Sequence, residues 1–532
     1  MNASSATRSS NRPGRRPVRL LARLLAPART AAARLRTLRG WRADGVALLF
    51  GVLAAFALPP YGALLLLLLA FPGLMVLLDT SPRVLVAARR GWWFGFGLHL
   101  VGLYWITDAI MLEAARFWWL VPLAVPALAA VLALFVALAT GVARLARPGW
   151  RRTLALAGAW VLADLARQFV ATGFPWNPLG SVWELPGHAG DVMIQPAAYV
   201  GVHGLTLVTV LLACAPLFGR IGWATLAGVL VAWFGVGALR LTGPVPSTGV
   251  PVQVLLVQGN VPQGAKWDMA KRIEIFRRYL RLTDDAVRAL PAATPAVVVW
   301  PETASPFLLD GDSEAREAIE SAAHGVPALV GAVRFGADGR PRNTLFALSD
   351  GGTIVGRYDK WHLVPFGEFQ PSWFPLGIQV VPGGGFAAGS GPTVLRVPSL
   401  PPAGPLICYE AIFSGQVTGP AGRPDWLVNI TNDAWFGDSS GPRQHLAAAR
   451  MRAVEEGLPL MRAANTGISA AFDGFGRELA RLHMNVTGVL TVSLPPPLPA
   501  TLYSRAGLFI PLGLAGVLLA ISLAGRRASR RG

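Results

Sequence analysis

A chain of 532 residues of which 53% are hydrophobic and only 14% charged, with a mean hydropathy of +0.46, lies outside the range of soluble globular proteins and reads as an integral membrane protein. The formal charge of +19 is unevenly placed: residues 245–500 hold 21 Lys and Arg against 22 Asp and Glu, while the remainder holds 27 against 7. A basic surplus confined to the apolar part is the signature of cytoplasmic loops beside membrane spans, and it argues against nucleic acid as a partner.

The first segment, residues 1–43, carries eleven arginines from Arg8 to Arg42 and little that can pack a core, so it is expected to be a disordered or membrane-surface cytoplasmic tail. It fits a signal peptide poorly, because its basic region is long and a second apolar run follows the first almost at once; no cleavage is expected. Apolar runs near 44–58, 62–79, 90–107, 117–142, 153–171, 194–218, 221–241 and 506–524 are read as eight transmembrane helices. Seven of them make a membrane domain over 44–243, and the eighth lies in the closing segment 501–532. Arg83, Arg89 and Arg90 fall between the second and third runs, Arg144, Arg147, Arg151 and Arg152 between the fourth and fifth, and Arg220 between the sixth and seventh. The alternate connections are nearly bare: Pro59-Pro60-Tyr61 has no basic residue, and Arg116 stands beside Asp108 and Glu113. This alternation predicts cytoplasmic termini, with Arg526, Arg527, Arg530 and Arg531 closing the chain, and an extracytoplasmic location for everything between the last two spans. The stretch from Gly173 to Glu184, with Phe174, Trp176 and Trp183, reads as an interfacial aromatic belt in preference to a direct substrate role, on the side that the large domain faces.

After the linker Gly243-Pro244-Val245-Pro246 the composition changes to that of a folded domain, 244–500. Strands are predicted at 252–258, 296–300, 328–333, 343–348, 353–358, 405–408 and 425–430, and helices at 270–290, 313–323 and 442–456. Helices alternating with near-continuous apolar strands imply an α/β domain with buried sheets.

Three of these strands end in complementary reactive groups. Val299-Trp300-Pro301-Glu302 delivers a carboxylate, Tyr358-Asp359-Lys360 an amine, and Leu406-Ile407-Cys408 a thiol. The only other cysteine, Cys214, lies in an apolar run, so Cys408 is expected to be a free thiol. A thiol needs a base to become a nucleophile; Glu302 behind an apolar strand is expected to have its pKa raised enough to take and return a proton, and Lys360 to stabilise an oxyanion. The seven histidines show no paired ligand spacing and no glycine-rich phosphate loop is present, so neither a metal nor a cofactor is predicted.

Pro301-Glu302, Lys360 with His362-Leu363-Val364-Pro365-Phe366-Gly367-Glu368, and Cys408-Tyr409-Glu410 together resemble the Glu-Lys-Cys signature of the nitrilase, or carbon–nitrogen hydrolase, superfamily. With eight spans around the domain, the chain from Gly45 to Gly525 resembles the membrane-bound apolipoprotein N-acyltransferase family. The resemblance implies an α-helical polytopic membrane domain carrying an inserted α/β/β/α sandwich, with Cys408 as nucleophile, Glu302 as general base and Lys360 as oxyanion stabiliser. Glu368 and Glu410 match further carboxylates, either structural or direct in role, and Trp267, Asn343 and Tyr409 match positions that shape the site. The implied reaction moves an acyl chain from the sn-1 ester of a membrane phospholipid, phosphatidylethanolamine being the expected donor, to the free α-amino group of a diacylglyceryl-cysteine at an apolipoprotein N-terminus. The implied location is the bacterial inner membrane. Two other readings compete: a membrane-tethered amidase acting on a small amide, and an idle lipoprotein-binding protein. Finally, the apolar, turn-rich loop 371–386 is read either as a mobile lid, with Trp373, Phe374 and Phe386 entering lipid, or as a loop packed on the domain core.

Overall fold

The computed structural model describes residues 30–112, 117–246, 251–266, 268–372 and 385–524. The expectations for the first 29 residues, Glu113, Arg116, Trp267, Trp373, Phe374 and the four closing arginines lie outside the described residues.

Each of the eight apolar runs contains a helix: α1 (Gly40–Ala55), α2 (Leu67–Asp79), α3 (Val84–Gly102), α4 (Val121–Leu145), α5 (Trp150–Phe169), α6 (Ala197–Cys214) and α7 (Gly219–Leu241), with α11 (Phe509–Leu523) after the domain. Among the described residues, two helical stretches, Trp118–Leu145 and Ala197–Leu241, are by themselves long and apolar enough to cross a membrane; Leu64–Asp79 and Phe509–Leu523 are apolar but shorter. Helix α3 begins before its apolar run because Arg90 sits inside it. The guanidinium is buried and donates to the Leu77 carbonyl, to Thr80 Oγ1 (3.0 Å) and to Ser81 Oγ (2.9 Å), so the charge ends the α2–α3 turn instead of ending the helix.

The connections gather at two opposite ends. At one, Arg144 donates to the Ser81 carbonyl (2.9 Å), and Arg152 pairs with Asp79 and donates to the Ala146 carbonyl (3.0 Å). At the other, the α1–α2, α3–α4 and α5–α6 connections meet the domain. There the Gln444 carboxamide accepts from the Trp105 and Trp176 indoles (3.1 and 2.9 Å) and donates to the Pro59 carbonyl (3.0 Å). The aromatic-belt expectation fails here: Trp176 and Trp183 are buried, the first under Gln444 and the second donating to Thr209 Oγ1 (2.8 Å), so they bind protein to protein instead of facing lipid.

The domain has two sheets. The first runs β11-β1-β2-β3-β4-β5, with β1 (Gln253–Gln258), β2 (Ala296–Val299) and β3 (Ala328–Phe335) parallel, and β4 (Pro341–Ser349), β5 (Thr353–Asp359) and β11 (Gly488–Ser493) antiparallel to their neighbours. The second runs β10-β9-β8-β7-β6, with β6 (Ala403–Ile407), β7 (Trp426–Thr431) and β8 (Leu460–Ala464) parallel, followed by β9 (Ser469–Phe472) and β10 (Glu478–Leu482). Strand periodicity sorts the side chains into layers. Val254 and Leu256 of β1 join Ile407, Val428 and Met461 between the sheets, while Leu255 and Val257 pack beneath α8 (Arg272–Arg288) and α9 (Ser313–Ala323). The outer face of the second sheet is covered by α10 (Ser440–Glu456) through Leu446, Ala449 and Ala453. The result is the four-layer α/β/β/α sandwich. Strands β8 to β11 were not anticipated, since Arg462 interrupts the apolar pattern of β8 and β10 and β11 are only half-buried.

Candidate active site

The carboxyl ends of β2, β5 and β6 converge, bringing Glu302, Lys360 and Cys408 into one buried cluster. Glu302 reaches it by a tight turn in which Thr303 has φ +45°. The turn packs onto Gly331 of β3, where a Cβ would stand 2.1 Å from the Pro301 carbonyl oxygen, so only glycine admits it. Cys408 opens a 3₁₀ turn with φ +51°, a left-handed conformation that is uncommon for a residue with a side chain and typical of positions where the fold dictates the backbone.

Lys360 Nζ lies 3.3 Å from Glu302 Oε1 and 2.8 Å from Glu368 Oε2, one ammonium between two carboxylates. Asn343 Nδ2 donates to both carboxylates, at 2.7 Å to Glu302 and 3.1 Å to Glu368, and the Asn432 amide donates to Glu302 Oε2 (2.8 Å). A second lysine, Lys266, is buried behind them and donates to the Glu302 backbone carbonyl (2.8 Å). The expectation for Glu302 is thereby reversed. Burial pushes its pKa up, but Lys360, Lys266 and the Asn343 amide outweigh burial and hold it below the ordinary value, so Glu302 rests as a carboxylate. Burial depresses Lys360, yet Glu302 and Glu368 more than restore it and keep it protonated. Burial and the Glu302 charge push the Cys408 thiol well up, so the resting pair is thiol and carboxylate, the protonation state a general base requires.

Glu410 supports the site without facing it. Its Oε2 accepts from Tyr358 Oη (2.9 Å) and the Ile407 amide (2.6 Å), and its Oε1 from the Trp361 amide (2.8 Å), which locks the Cys408 turn to the Lys360 loop. Burial raises it to about 7. Glu368 does both tasks, accepting from the Val364 amide (2.8 Å) while pairing with Lys360. Tyr409 points the opposite way, donating to the Gly173 carbonyl (2.8 Å) and packing with Phe174, Phe413, Trp176 and Leu132 in an apolar cluster shared with the helical region. Phe386 is buried, its amide bonded to the Glu368 carbonyl (2.8 Å), so it packs beside the site and is not a lid aromatic.

Sequence reasoning missed a second cluster behind the thiol. Asp433 follows β7, His445 stands on α10, and Arg462 lies in β8, all fully buried. Ligand-type atoms of Cys408, Asp433 and His445 lie within 4.8 Å of one another, a grouping that linear spacing did not reveal. The donor set is already committed: Asp433 Oδ2 receives Arg462 Nη2 (2.7 Å), Oδ1 faces His445 Nδ1 (2.9 Å), and His445 Nε2 faces the Cys408 carbonyl (2.9 Å). A cation there would adjoin a guanidinium, so these residues fit a metal poorly. For Asp433 the available signal was the pattern of Glu302, a charged residue just beyond an apolar strand; His445 on a helix and Arg462 inside β8 carried none.

Two packed sheets presenting a thiol, a carboxylate and an ammonium from three strand ends define an enzyme of the carbon–nitrogen hydrolase class. Residues 255–499 match the family described as carbon–nitrogen hydrolase, and residues 50–215 match the apolipoprotein N-acyltransferase N-terminal domain. Proteins named apolipoprotein N-acyltransferase from Rhodopseudomonas palustris and Sinorhizobium fredii are 40% and 42% identical to this chain, each over 88% of it and over 92% and 93% of their own lengths. The chain belongs to the apolipoprotein N-acyltransferase family. Among solved structures, an amidase from Nesterenkonia sp. is 20% identical with a TM-score of 0.35, covering 48% of this chain and 94% of its own. A carbon–nitrogen hydrolase from Helicobacter pylori is 16% identical with a TM-score of 0.34, covering 46% and 88%. These two likenesses are too slight to bear on function.

Proposed function

We propose that this enzyme N-acylates apolipoproteins by a two-step transfer through Cys408, with phosphatidylethanolamine as a donor. In the first step Glu302 takes the thiol proton, sulfur attacks the carbonyl carbon of the sn-1 ester, and Lys360 stabilises the oxyanion. The C–O bond breaks and the departing lysophospholipid oxygen recovers the proton from Glu302. In the second, the α-amino group of a diacylglyceryl-cysteine attacks the thioester, an amide C–N bond forms, the C–S bond breaks, and Glu302 returns the amine proton to sulfur. The observation that carries this reading is the apolar cluster running from Leu132 and Trp176 to Tyr409, the residue after the nucleophile: it fastens the nucleophile's turn to the apolar helices, so that a lipid surround would put an ester near the site and keep water scarce.

The same reading places the protein in the bacterial inner membrane with eight spans: a tail over 1–43, seven helices over 44–243, an extracytoplasmic domain over 244–500, and a last helix and cytoplasmic tail over 501–532. It is supported by the eight helices in the eight apolar runs, by the basic connections meeting at the end away from the domain, and by exposed apolar side chains such as Val131, Leu134 and Leu138 on α4 and Val231 and Leu239 on α7, which suit a lipid surround. Incubating the purified enzyme with phosphatidylethanolamine and weighing it intact tests the reading. A hydroxylamine-labile mass of one acyl chain on wild type and none on Cys408→Ala is expected; a folded, lipid-bound wild type without the adduct overturns it.

A further inference from the structure

The Glu-Lys-Cys arrangement leaves open what holds the Cys408 carbonyl at φ +51°, and it sets only the Lys360 charge against the burial and the Glu302 and Asp433 charges that oppose thiolate formation. The cluster on the far side of Cys408 bears on both points. Resting on the assignment of Cys408 as nucleophile, we propose that His445 is a positioning residue that clamps the Cys408 carbonyl through Nε2–H and, with both ring nitrogens donating, places a positive charge behind the sulfur.

The donor and acceptor inventory carries this. His445 Nδ1 lies 2.9 Å from Asp433 Oδ1, and Nε2 lies 2.9 Å from the Cys408 backbone oxygen. Asp433 is a carboxylate: burial opposes its ionisation, but Arg462 and His445 overcome that and hold it far below its usual range. A carboxylate and a carbonyl only accept, so both contacts are hydrogen bonds only when the ring carries two protons. With a single proton on Nε2, Nδ1 and Oδ1 would set lone pairs against each other at hydrogen-bond distance. Arg462 Nη2 also lies 3.3 Å from Nδ1, but its short bond is to Asp433 Oδ2 at 2.7 Å.

The surroundings are closed and accounted for. Asp433 faces the ring from the turn after β7, Arg462 from β8 and Cys408 from the turn after β6, while Trp176 and Phe436 cover it with aromatic rings. One carboxylate against a guanidinium and an imidazolium leaves one positive charge beside the thiol. Thr431 Oγ1, donating to Asp433 Oδ1 (3.0 Å), fixes the carboxylate from the strand below. The clamp and the charge reach the reaction only through Cys408.

The test is the pH profile of Cys408 alkylation by iodoacetamide in the full-length detergent-purified protein, read by peptide mass so that Cys214 is counted separately. It needs no lipid substrate, so its outcome is independent of the transferase reading. His445→Gln keeps a donor toward the carbonyl and loses the charge. Its profile is expected to move up by about one pH unit, with a roughly tenfold slower reaction below the midpoint and an unchanged cooperative melt. Asp433→Asn, nearly isosteric, removes one negative charge together with the acceptor that calls for the second ring proton, so the cluster keeps one positive charge and its profile is expected to stay near that of wild type. A His445→Gln protein that melts cooperatively yet keeps the wild-type profile overturns the proposal. If His445→Gln does not fold, ¹⁵N-histidine spectra of wild type decide: one ring protonated on both nitrogens while the exposed histidines are neutral supports it, and seven neutral rings overturn it.

Discussion

Lys266 Nζ donates to the backbone carbonyl of Glu302 at 2.8 Å, placing a second buried ammonium beside a carboxylate that already shares Lys360 with Glu368. With the thiol protonated, two carboxylates are then matched by two ammonium groups. Removing Lys266 leaves the cluster one negative charge in excess.

Lys266→Met therefore raises the Glu302 pKa, and because the base works only when ionised, the acid limb of the activity profile moves up in pH. A shift of about one unit, and roughly tenfold less lysophospholipid release on that limb, is expected. Lys266 is itself pushed down to about 8 by burial, opposed by the Glu302 and Cys408 charges. Wild type loses that positive charge as pH rises through 8, so the gap between wild type and variant should narrow in alkaline buffer. A uniform loss at every pH would mean that Lys266 acts only by packing.

Glu410→Gln tests a carboxylate whose geometry is structural. The carboxylate serves Tyr358 and two backbone amides that a carboxamide cannot all satisfy, and a buried donor left unpaired costs about 1–3 kcal/mol. Melting temperature and activity are expected to fall together. The pH dependence has a definite sign. Unfolded, the group ionises near 4.5, but folded only near 7, so in that window the unfolded chain binds fewer protons and wild-type stability falls as pH rises. The deficit of the variant should thus be larger at pH 5 than at pH 8.

The three candidate catalytic residues were marked in the sequence by strand ends: Glu302 and Cys408 follow the buried apolar strands β2 and β6, whereas Lys360 follows the half-exposed β5 and stood out through the block from His362 to Glu368 after it. Asp433 carries the same strand-end signal as Glu302, but Lys266, His445 and Arg462 resemble surface polar residues until tertiary pairing buries them: Arg462 in β8 is paired by Asp433 from a neighbouring strand end and by Asn429 on β7. Composition also cannot tell an aromatic facing lipid from one facing protein, which is why Trp176 and Trp183 were read as a belt. The Glu302 pKa was misjudged for a related reason, as burial is visible along an apolar run but two lysines from other elements are not.

Gln444 ties the domain to the apolar helical region, and Gln444→Leu removes that tie at nearly constant volume. The Trp105 and Trp176 indoles and the Pro59 carbonyl lose their partner together. At about 1–3 kcal/mol for each buried group left unpaired, a clear drop in melting temperature is expected. Acylation of Cys408 by phospholipid should fall further than its alkylation by iodoacetamide, because only the first depends on how the domain is seated on the apolar helices. Equal losses in both reactions would show that the tie serves stability alone.

The alternation of connections makes the orientation testable residue by residue. Arg147 lies in the α4–α5 connection at the end remote from the domain, and His188 lies in the α5–α6 connection, close to the ion pairs of Arg450 with Glu184 (3.0 Å) and Asp191 (2.6 Å) that fasten this connection to α10. In a chain lacking its two native cysteines, His188→Cys should react with a membrane-impermeant maleimide in intact spheroplasts, whereas Arg147→Cys should react only after lysis. The opposite pattern would put the domain in the cytoplasm, away from lipoproteins exported across the membrane. Labelling of both before lysis would mean that the α4–α5 and α5–α6 connections do not lie on opposite faces, and the eight-span reading would have to be redrawn around α5.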